Sequence, residues 1–306
     1  MRVFLTGASG FVGSFFLREI LASGEHDVAV LLRAPERAVR IVDVLNQTNI
    51  IRGDLNNQKN FEKEVKKFKP EAFVHLAWNG VMGRDRNAII QWRNITATLE
   101  LVEMASKVGA KDWIGLGSQA EYGPCQNKID EKEKTSPTTL YGVSKLAACN
   151  LSERLCQELG LRHAWLRLFS SFGPNDNSDW LIPYLIKTLF ANGKPRLTNA
   201  EQLWDYIYVE DVASAIAAVL KSSAATGVFN LGSGRALSLR AMIEKIRNLI
   251  NQDLPLGFGE VAYRSDQVMH LEANIERLKL LAGWSPKFDF DTGIERTVDW
   301  YSKHKS

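Results

Sequence analysis

Cysteine, long apolar runs and net charge are all scarce in this chain of 306 residues. Its three cysteines, Cys125, Cys149 and Cys156, form no CxxC pair and no Cys/His ligand spacing, which excludes a disulfide framework and a thiolate-bound structural metal. Cys149 and Cys156 lie in a helical stretch and read as buried small hydrophobes, and an odd, unpatterned count fits a reducing compartment. No apolar run approaches the ~18 to 20 residues of a membrane span. The start, MRVFLTGASG, enters a strand pattern without a basic segment or a small-residue cleavage site, so the expectation is a cytoplasmic protein with no membrane partner. Lys plus Arg number 38 against 35 Asp plus Glu, a net +3, with no basic stripe between aromatics; this argues against a nucleic-acid partner. The densest cationic run, KEVKKFK at 63–69, reads as the solvated face of an amphipathic helix.

What is present is the balance of a globular protein, 45% apolar and 24% charged. Short β-branched runs alternate with helical patterns through the first two-thirds. Strands are expected at Val3–Thr6, Val28–Leu32, Ile50–Arg52, Ala72–Leu76, Trp113–Leu116 and Ala164–Leu168. Helices are expected between them at Phe11–Ser23, Asn87–Val108 and Tyr141–Leu159. Near-continuous apolar strands alternating with helices give an α/β fold, a doubly wound parallel (Rossmann) sheet. After Phe169 the rhythm breaks at the loop SSFGPNDNSDW. Beyond it, helices are expected at Leu181–Asn192, Asp211–Lys221, Leu237–Ile250 and near Asn274–Leu281, with strands near Tyr206–Val209 and Val228–Leu231. The division expected is a dinucleotide-binding domain of residues 1–168 plus 206–233 and a smaller, discontinuous substrate lobe of 169–205 plus 234–306.

Gly7-Ala8-Ser9-Gly10-Phe11-Val12-Gly13 follows the first strand and opens the first helix. Glycine permits the tight turn and close backbone approach to a pyrophosphate, and the helix N-terminus supplies N–H donors. This assigns Gly7, Ser9, Gly10, Phe11, Val12 and Gly13 to a dinucleotide. At the end of strand two, where an NAD site carries an acid, the chain has Leu32-Arg33-Ala34-Pro35-Glu36-Arg37. Arg33 and Arg37 suit a 2′-phosphate, so NADP(H) is favoured over NAD(H). Asp54, after Gly53, is the expected acceptor for the adenine amine.

Ser118 lies just past strand five, and Tyr141 and Lys145, four apart, share one helix face. A free phenol titrates near ~10, so a neighbouring ammonium is expected to lower Tyr141 and make it a usable acid or base. Lys145 is also suited to the nicotinamide ribose, and Ser118 to the reacting oxygen. His75, ending an apolar strand, reads as packed rather than catalytic. Trp78 and Asn79, with the loop 80–86, follow strand four where cleft loops belong; Arg84 and Arg86 there read first as surface arginines and second as partners of an anionic substrate.

Together TGASGFVG, GDL at 53–55, HLA at 75–77, Asn94, GSQAEYG at 117–123, YGVSK at 141–145 and LRLFSSFGP at 166–174 resemble the extended short-chain dehydrogenase/reductase family. So do WDYIYVEDV at 204–212, FNLGSG at 229–234 and GWSP at 283–286. The similarity is to its nucleotide-sugar enzymes, the NAD-dependent epimerase/dehydratase type. The resemblance implies a catalytic trio of Ser118, Tyr141 and Lys145, with Leu55, Leu76, Ala77, Tyr141 and Lys145 joining the cofactor site. It also implies a nucleotide-diphosphate sugar met by Trp78, Ser118, Gln119, Ser170, Trp204 and Arg264, and a homodimer through the helices near 87–108 and 141–159. Where 4,6-dehydratases carry Asp-Glu after the serine position, this chain has Gln119-Ala120, which implies that dehydration is not its reaction. Family members often have Asn where Ser170 stands and Arg where Trp204 stands. Residues 258–269, Ala273-Asn274 and GWSPKFDF look most like CDP-abequose and CDP-paratose synthases, which reduce a 4-keto-6-deoxy sugar with NADPH. The alternatives are a 4-epimerase with retained NAD and, from another class, a non-catalytic NADP-binding regulator, against which the intact tyrosine stands.

Overall fold

The computed structural model describes residues 1–264 and 267–304, so Ser265 and Asp266 of the YRSD stretch lie outside the described residues. In chain order the strands are β1 (Arg2–Thr6), β2 (Asp27–Leu32), β3 (Asn49–Arg52), β4 (Ala72–His75), β5 (Asp112–Ser118), β6 (Arg162–Leu168), β7 (Ser170–Phe172), β8 (Leu203–Trp204), β9 (Tyr206–Tyr208), β10 (Gly227–Leu231), β11 (Leu237–Ser238) and β12 (His270–Leu271). The helices are α1 (Phe11–Ala22), α2 (Glu62–Phe68), α3 (Gln91–Lys107), α4 (Leu140–Leu159), α5 (Leu181–Phe190), α6 (Val209–Lys221), α7 (Leu239–Ile250), α8 (Glu276–Ala282) and α9 (Phe290–Lys303).

Seven strands form a parallel sheet in the order β10-β6-β5-β4-β1-β2-β3. Its central strands are apolar on both sides for a simple reason: Val3 and Leu5 join one core with Phe16, Leu17 and Ile216, while Phe4, between them, joins another with Phe73, Leu101 and Trp113. The fold class is the doubly wound α/β sheet expected. The strand order reverses between β1 and β4, and the crevice at their C-terminal ends is where such sheets bind ligands.

A third core joins α5, α7 and α9 through Ile186, Ile243 and Ile294 and takes in Phe172 and Tyr208 from the β7–β9 parallel pair. Helix α9 was not among the expected elements. Its buried Phe290, Ile294, Thr297, Val298 and Tyr301 follow helical spacing, and the Asp289 carboxylate caps it by accepting the Thr292 amide at 2.8 Å. Two buried carboxylates tie the tail down. Asp205 accepts from Ser233 N (2.8 Å), Ser233 Oγ (2.6 Å), Gly234 N (3.1 Å) and Ala273 N (3.0 Å), and Asp211 accepts from the Lys287 and Phe288 amides, both at 2.9 Å. Among the described residues no helix is long and apolar enough to cross a membrane.

His75 packs as expected, between Thr6 Oγ1 (2.7 Å) and Thr98 Oγ1 (3.1 Å). Thr98 gives its proton to the Asn94 carbonyl at 2.8 Å, so His75 Nε2 carries the hydrogen and Nδ1 accepts from Thr6. Burial pushes His75 down to about 3 and His163 down to about 4. Both rings thus stay neutral in the folded protein at pH values where the unfolded chain, titrating near ~6.5, has taken up protons. Stability that is complete above pH ~6.5 is therefore lost as pH falls toward those values, at about 1.4 kcal/mol per pH unit per ring. Thermal melts between pH 7 and 4.5 should show a steady fall in Tm, with a shallower slope in His163→Asn; an equal slope in the variant refutes the assignment.

Candidate active site

A cleft of about 1520 Å³ runs across the C-terminal ends of the central strands and takes lining residues from both sides. At one end is the glycine turn. Gly7 has φ +83°, and a Cβ there would lie 2.6 Å from Ala77 N; a Cβ on Gly13 would lie 2.0 Å from the Gly7 carbonyl. Only glycine lets β1, the β4 exit and α1 approach this closely. The N-cap of α1 is Gly10, with no side-chain cap and no acid in the helix's first turn, so its N-terminal amides open on the cleft without a carboxylate of their own first turn against them. Gly7, Ser9, Gly10, Phe11, Val12, Gly13, Arg33, Asp54, Leu55, Leu76 and Ala77 all line it. Arg37 does not: it stands exposed on the turn after β2, and Arg40 lines the cleft instead, its Nε donating to the Asn175 carbonyl at 3.0 Å. The acid beside Arg37, Glu36, is turned to Arg52 at 3.6 Å. Asp54 Oδ1 is engaged by its own turn, accepting the Asn56 amide and side-chain nitrogen, both at 2.9 Å.

The centre of the cleft brings Ser118, Tyr141 and Lys145 together with Trp78 and Gln119. Ser118 ends β5 in a capping box: its Oγ accepts the Ala120 amide at 3.2 Å, and its own amide donates to Glu121 Oε1 at 2.8 Å. Tyr141 and Lys145 ride the first turns of α4, which Thr139 caps by accepting the Gly142 amide at 3.1 Å. Both side chains are buried. The expected pairing of ammonium and phenol is not what the electrostatics show. Burial pushes the Tyr141 phenol above its ordinary value, while a hydrogen bond with Ser118 and the Arg86 charge hold it down. Lys145 Nζ donates to the Leu116 carbonyl at 2.5 Å and lies 3.8 Å from the Trp78 ring centroid. Burial brings Lys145 down to about 7, with Glu121 opposing.

The far end carries Ser170, Trp204 and Arg264. Ser170 and Trp204 bond each other, the indole Nε1 donating to the hydroxyl at 2.8 Å. Asp176 also lines the cleft; burial pushes its carboxyl up to about 7, against the Asn177 amide at 2.7 Å and the nearby Arg40. Sequence reasoning missed the buried Glu121–Arg167 pair beneath Ser118, at 2.7 Å, although Ser-x-x-Glu at 118–121 is a legible capping signature.

The chain is 25% identical to a UDP-glucose 4-epimerase of Halalkalibacterium halodurans, over 99% of this chain and 96% of that one. It is 26% identical to a CDP-abequose synthase of Salmonella muenchen, over 97% of each. The structure of a UDP-N-acetylglucosamine 4-epimerase from Methanobrevibacter ruminantium M1, in complex with UDP-N-acetylmuramic acid, superposes with a TM-score of 0.89 at 24% identity, covering 99% of this chain and 98% of that one. The model of the NAD dependent epimerase/dehydratase family matches residues 3–232, and the chain belongs to that family.

Proposed function

We propose that this protein is an NADPH-dependent reductase of the 4-keto group of a nucleotide-linked 6-deoxy sugar. The observation that carries the reading is the meeting of Ser118, Tyr141 and Lys145 in one cleft with the uncapped glycine turn. The turn fits a dinucleotide sterically, since close approach of backbone is what its missing Cβ atoms allow. Gly7, Gly10 and the α1 amides would hold the pyrophosphate, and Arg33 a 2′-phosphate. When bound, the reduced nicotinamide supplies the hydride. Ser118 orients the sugar carbonyl oxygen. Tyr141 gives that oxygen its Oη proton; a phenol held above its ordinary value is fully protonated at neutral pH and so is loaded as a donor. Lys145, brought to about 7, exchanges protons readily at working pH. Arg196 and Arg264, also lining the cleft, suit the diphosphate. The carboxylate bonded to the Ser118 amide, Glu121, is buried and faces inward to Arg167, so it is not presented to the cleft as an acid–base group for elimination. Exposed Trp92, Val143 and Leu151 on α3 and α4 suit a homodimer contact.

The second reading, a 4-epimerase with retained NAD, is favoured by the similarity to UDP-glucose 4-epimerases. Mixing the protein with NADPH and an NDP-4-keto-6-deoxy sugar separates the two. Stoichiometric loss of reduced-cofactor absorbance supports the reductase; conversion of an NDP-hexose to its 4-epimer without added cofactor overturns it. Within the reductase reading, Arg33→Ser should lower the preference for NADPH over NADH by about 10- to 100-fold, the worth of a charge-assisted phosphate contact. An unchanged ratio of kcat/KM values rejects that contact.

A further inference from the structure

The loop joining β4 to α3 is pinned at three places. Gln91 Nε2 donates to the carbonyls of Gly80 (2.7 Å) and Asp85 (2.9 Å), and its Oε1 accepts the Trp78 indole N–H at 2.9 Å. Asn94 exchanges two 3.0 Å bonds with the Asn79 backbone. At the far end Asn87 Oδ1 accepts the amide of Leu140, the residue before Tyr141, at 3.0 Å. The loop therefore has a fixed register against the first turn of α4. That register sets the Arg86 guanidinium over the Tyr141 ring, with Cζ 4.4 Å from the centroid, and lets Arg86 Nη1 donate to the Val81 carbonyl at 3.4 Å. The same loop entry puts the Trp78 ring between the two sites: its face takes the Lys145 ammonium, and it meets Tyr141 edge-on at 6.2 Å. Of the two cationic side chains in this part of the cleft, it is Arg86 that lies on the phenol ring. Lys145 is engaged by Leu116 and Trp78, and Arg86 by the phenol ring.

We propose that Arg86 is a positioning residue for proton transfer, stabilising the phenolate that Tyr141 becomes. The inference rests on the reading of Tyr141 as proton donor. When the sugar carbonyl carbon accepts its hydride, the C=O π pair moves onto oxygen. The Tyr141 O–H bond then breaks as a new O–H forms on the sugar, and one negative charge is left on the phenol beneath the guanidinium. A guanidinium keeps its charge throughout the working pH range, so this support does not titrate away. Among the described residues, Ser118 also holds the phenol down through a hydrogen bond and Glu121 opposes its ionisation, while Lys145, one turn along α4, is turned to the Leu116 carbonyl and the Trp78 ring.

The test needs neither substrate nor cofactor. Fluorotyrosine incorporated at the seven tyrosines lowers their phenol pKa values, and ¹⁹F NMR follows the Tyr141 resonance through an alkaline titration. Loss of one resonance in Tyr141→Phe assigns the signal. Arg86→Gln should raise the Tyr141 midpoint by about one pH unit, and Arg86→Lys should raise it less, since the charge remains while the flat stacking is lost. A midpoint unchanged or lowered in Arg86→Gln, or raised equally in Arg86→Lys, overturns the proposal. On an NDP-4-keto-6-deoxy sugar, Arg86→Gln should lower kcat about tenfold with KM unchanged. A raised KM at constant kcat makes Arg86 a substrate contact and overturns it too. If the unaltered protein reduces no such sugar, the proposed function falls while the NMR titration still decides Arg86.

Discussion

Replacing Tyr141 by Phe is expected to lower reduction of an NDP-4-keto-6-deoxy sugar by about 10²- to 10⁴-fold, the range over which a positioned general acid acts. The substitution removes one oxygen and keeps the ring. The ring is what packs against Trp78 and Arg86, so the cleft walls should remain in place. The loss should thus fall on kcat, with NADPH affinity unchanged, because the glycine turn and Arg33 sit at one end of the cleft and do not use the Tyr141 hydroxyl at its centre. Stopped-flow oxidation of NADPH together with a fluorescence binding titration reads both quantities. Full turnover in the variant would mean that another group supplies the proton. A parallel loss of NADPH binding would mean that Tyr141 serves chiefly to hold the cofactor.

The legible parts of this molecule were those written in short-range pattern. β1 to the glycine turn to α1 is a contiguous string, and the doubly wound sheet follows from apolar strands spaced by helices. Tyr141 and Lys145, four apart on α4, announce a shared face, and the structure does bring them with Ser118 into one cleft. The illegible parts depend on approach between distant segments. Whether Lys145 or Arg86 is the cation set against Tyr141 depends on a loop whose register is fixed by Gln91, Asn94 and Asn87, each reaching across a turn or to another helix. The sequence pointed to Arg37 beside Arg33, but the short helical turns after β2 leave Arg37 exposed and bring Arg40 to the cleft in its place. The two-residue strands β8, β11 and β12 are too short for periodicity to register. By contrast, α9 was within reach, since its Asp289 cap and its stripe at 290, 294, 297, 298 and 301 carry the usual signals.

Removing the carboxylate of Glu121 should cost about 3–5 kcal/mol of stability, the penalty for leaving a buried guanidinium without its partner. Glu121 is fully buried, and Arg167 is 4% exposed. One carboxylate serves three donors: Arg167 Nε at 2.7 Å, Trp165 Nε1 at 3.0 Å and the Ser118 amide at 2.8 Å. Room for it exists because position 117 is glycine; a Cβ there would lie 2.5 Å from Glu121 Oε1. Arg167 in turn lies 4.5 Å over the Tyr122 ring, and the Tyr122 hydroxyl donates to Asn230 Oδ1 at 2.7 Å, so the network reaches from the Ser118 turn to β10. Glu121→Ala should lower the urea midpoint at an unchanged m-value. The pair Glu121→Leu with Arg167→Met should recover much of the loss, since an apolar replacement of both partners leaves no orphaned charge. That recovery separates the cost of an unpaired ion from the worth of the contact itself. If Glu121→Ala loses less than ~1 kcal/mol, water reaches Arg167 and the pair is not a buried one. The double variant also isolates what the ion pair does for the site. With Glu121 gone, the charge that opposes the burial of Lys145 is lost, so a folded but slower double variant would place the purpose of this pair in the charge of Lys145 and the orientation of Ser118 rather than in stability.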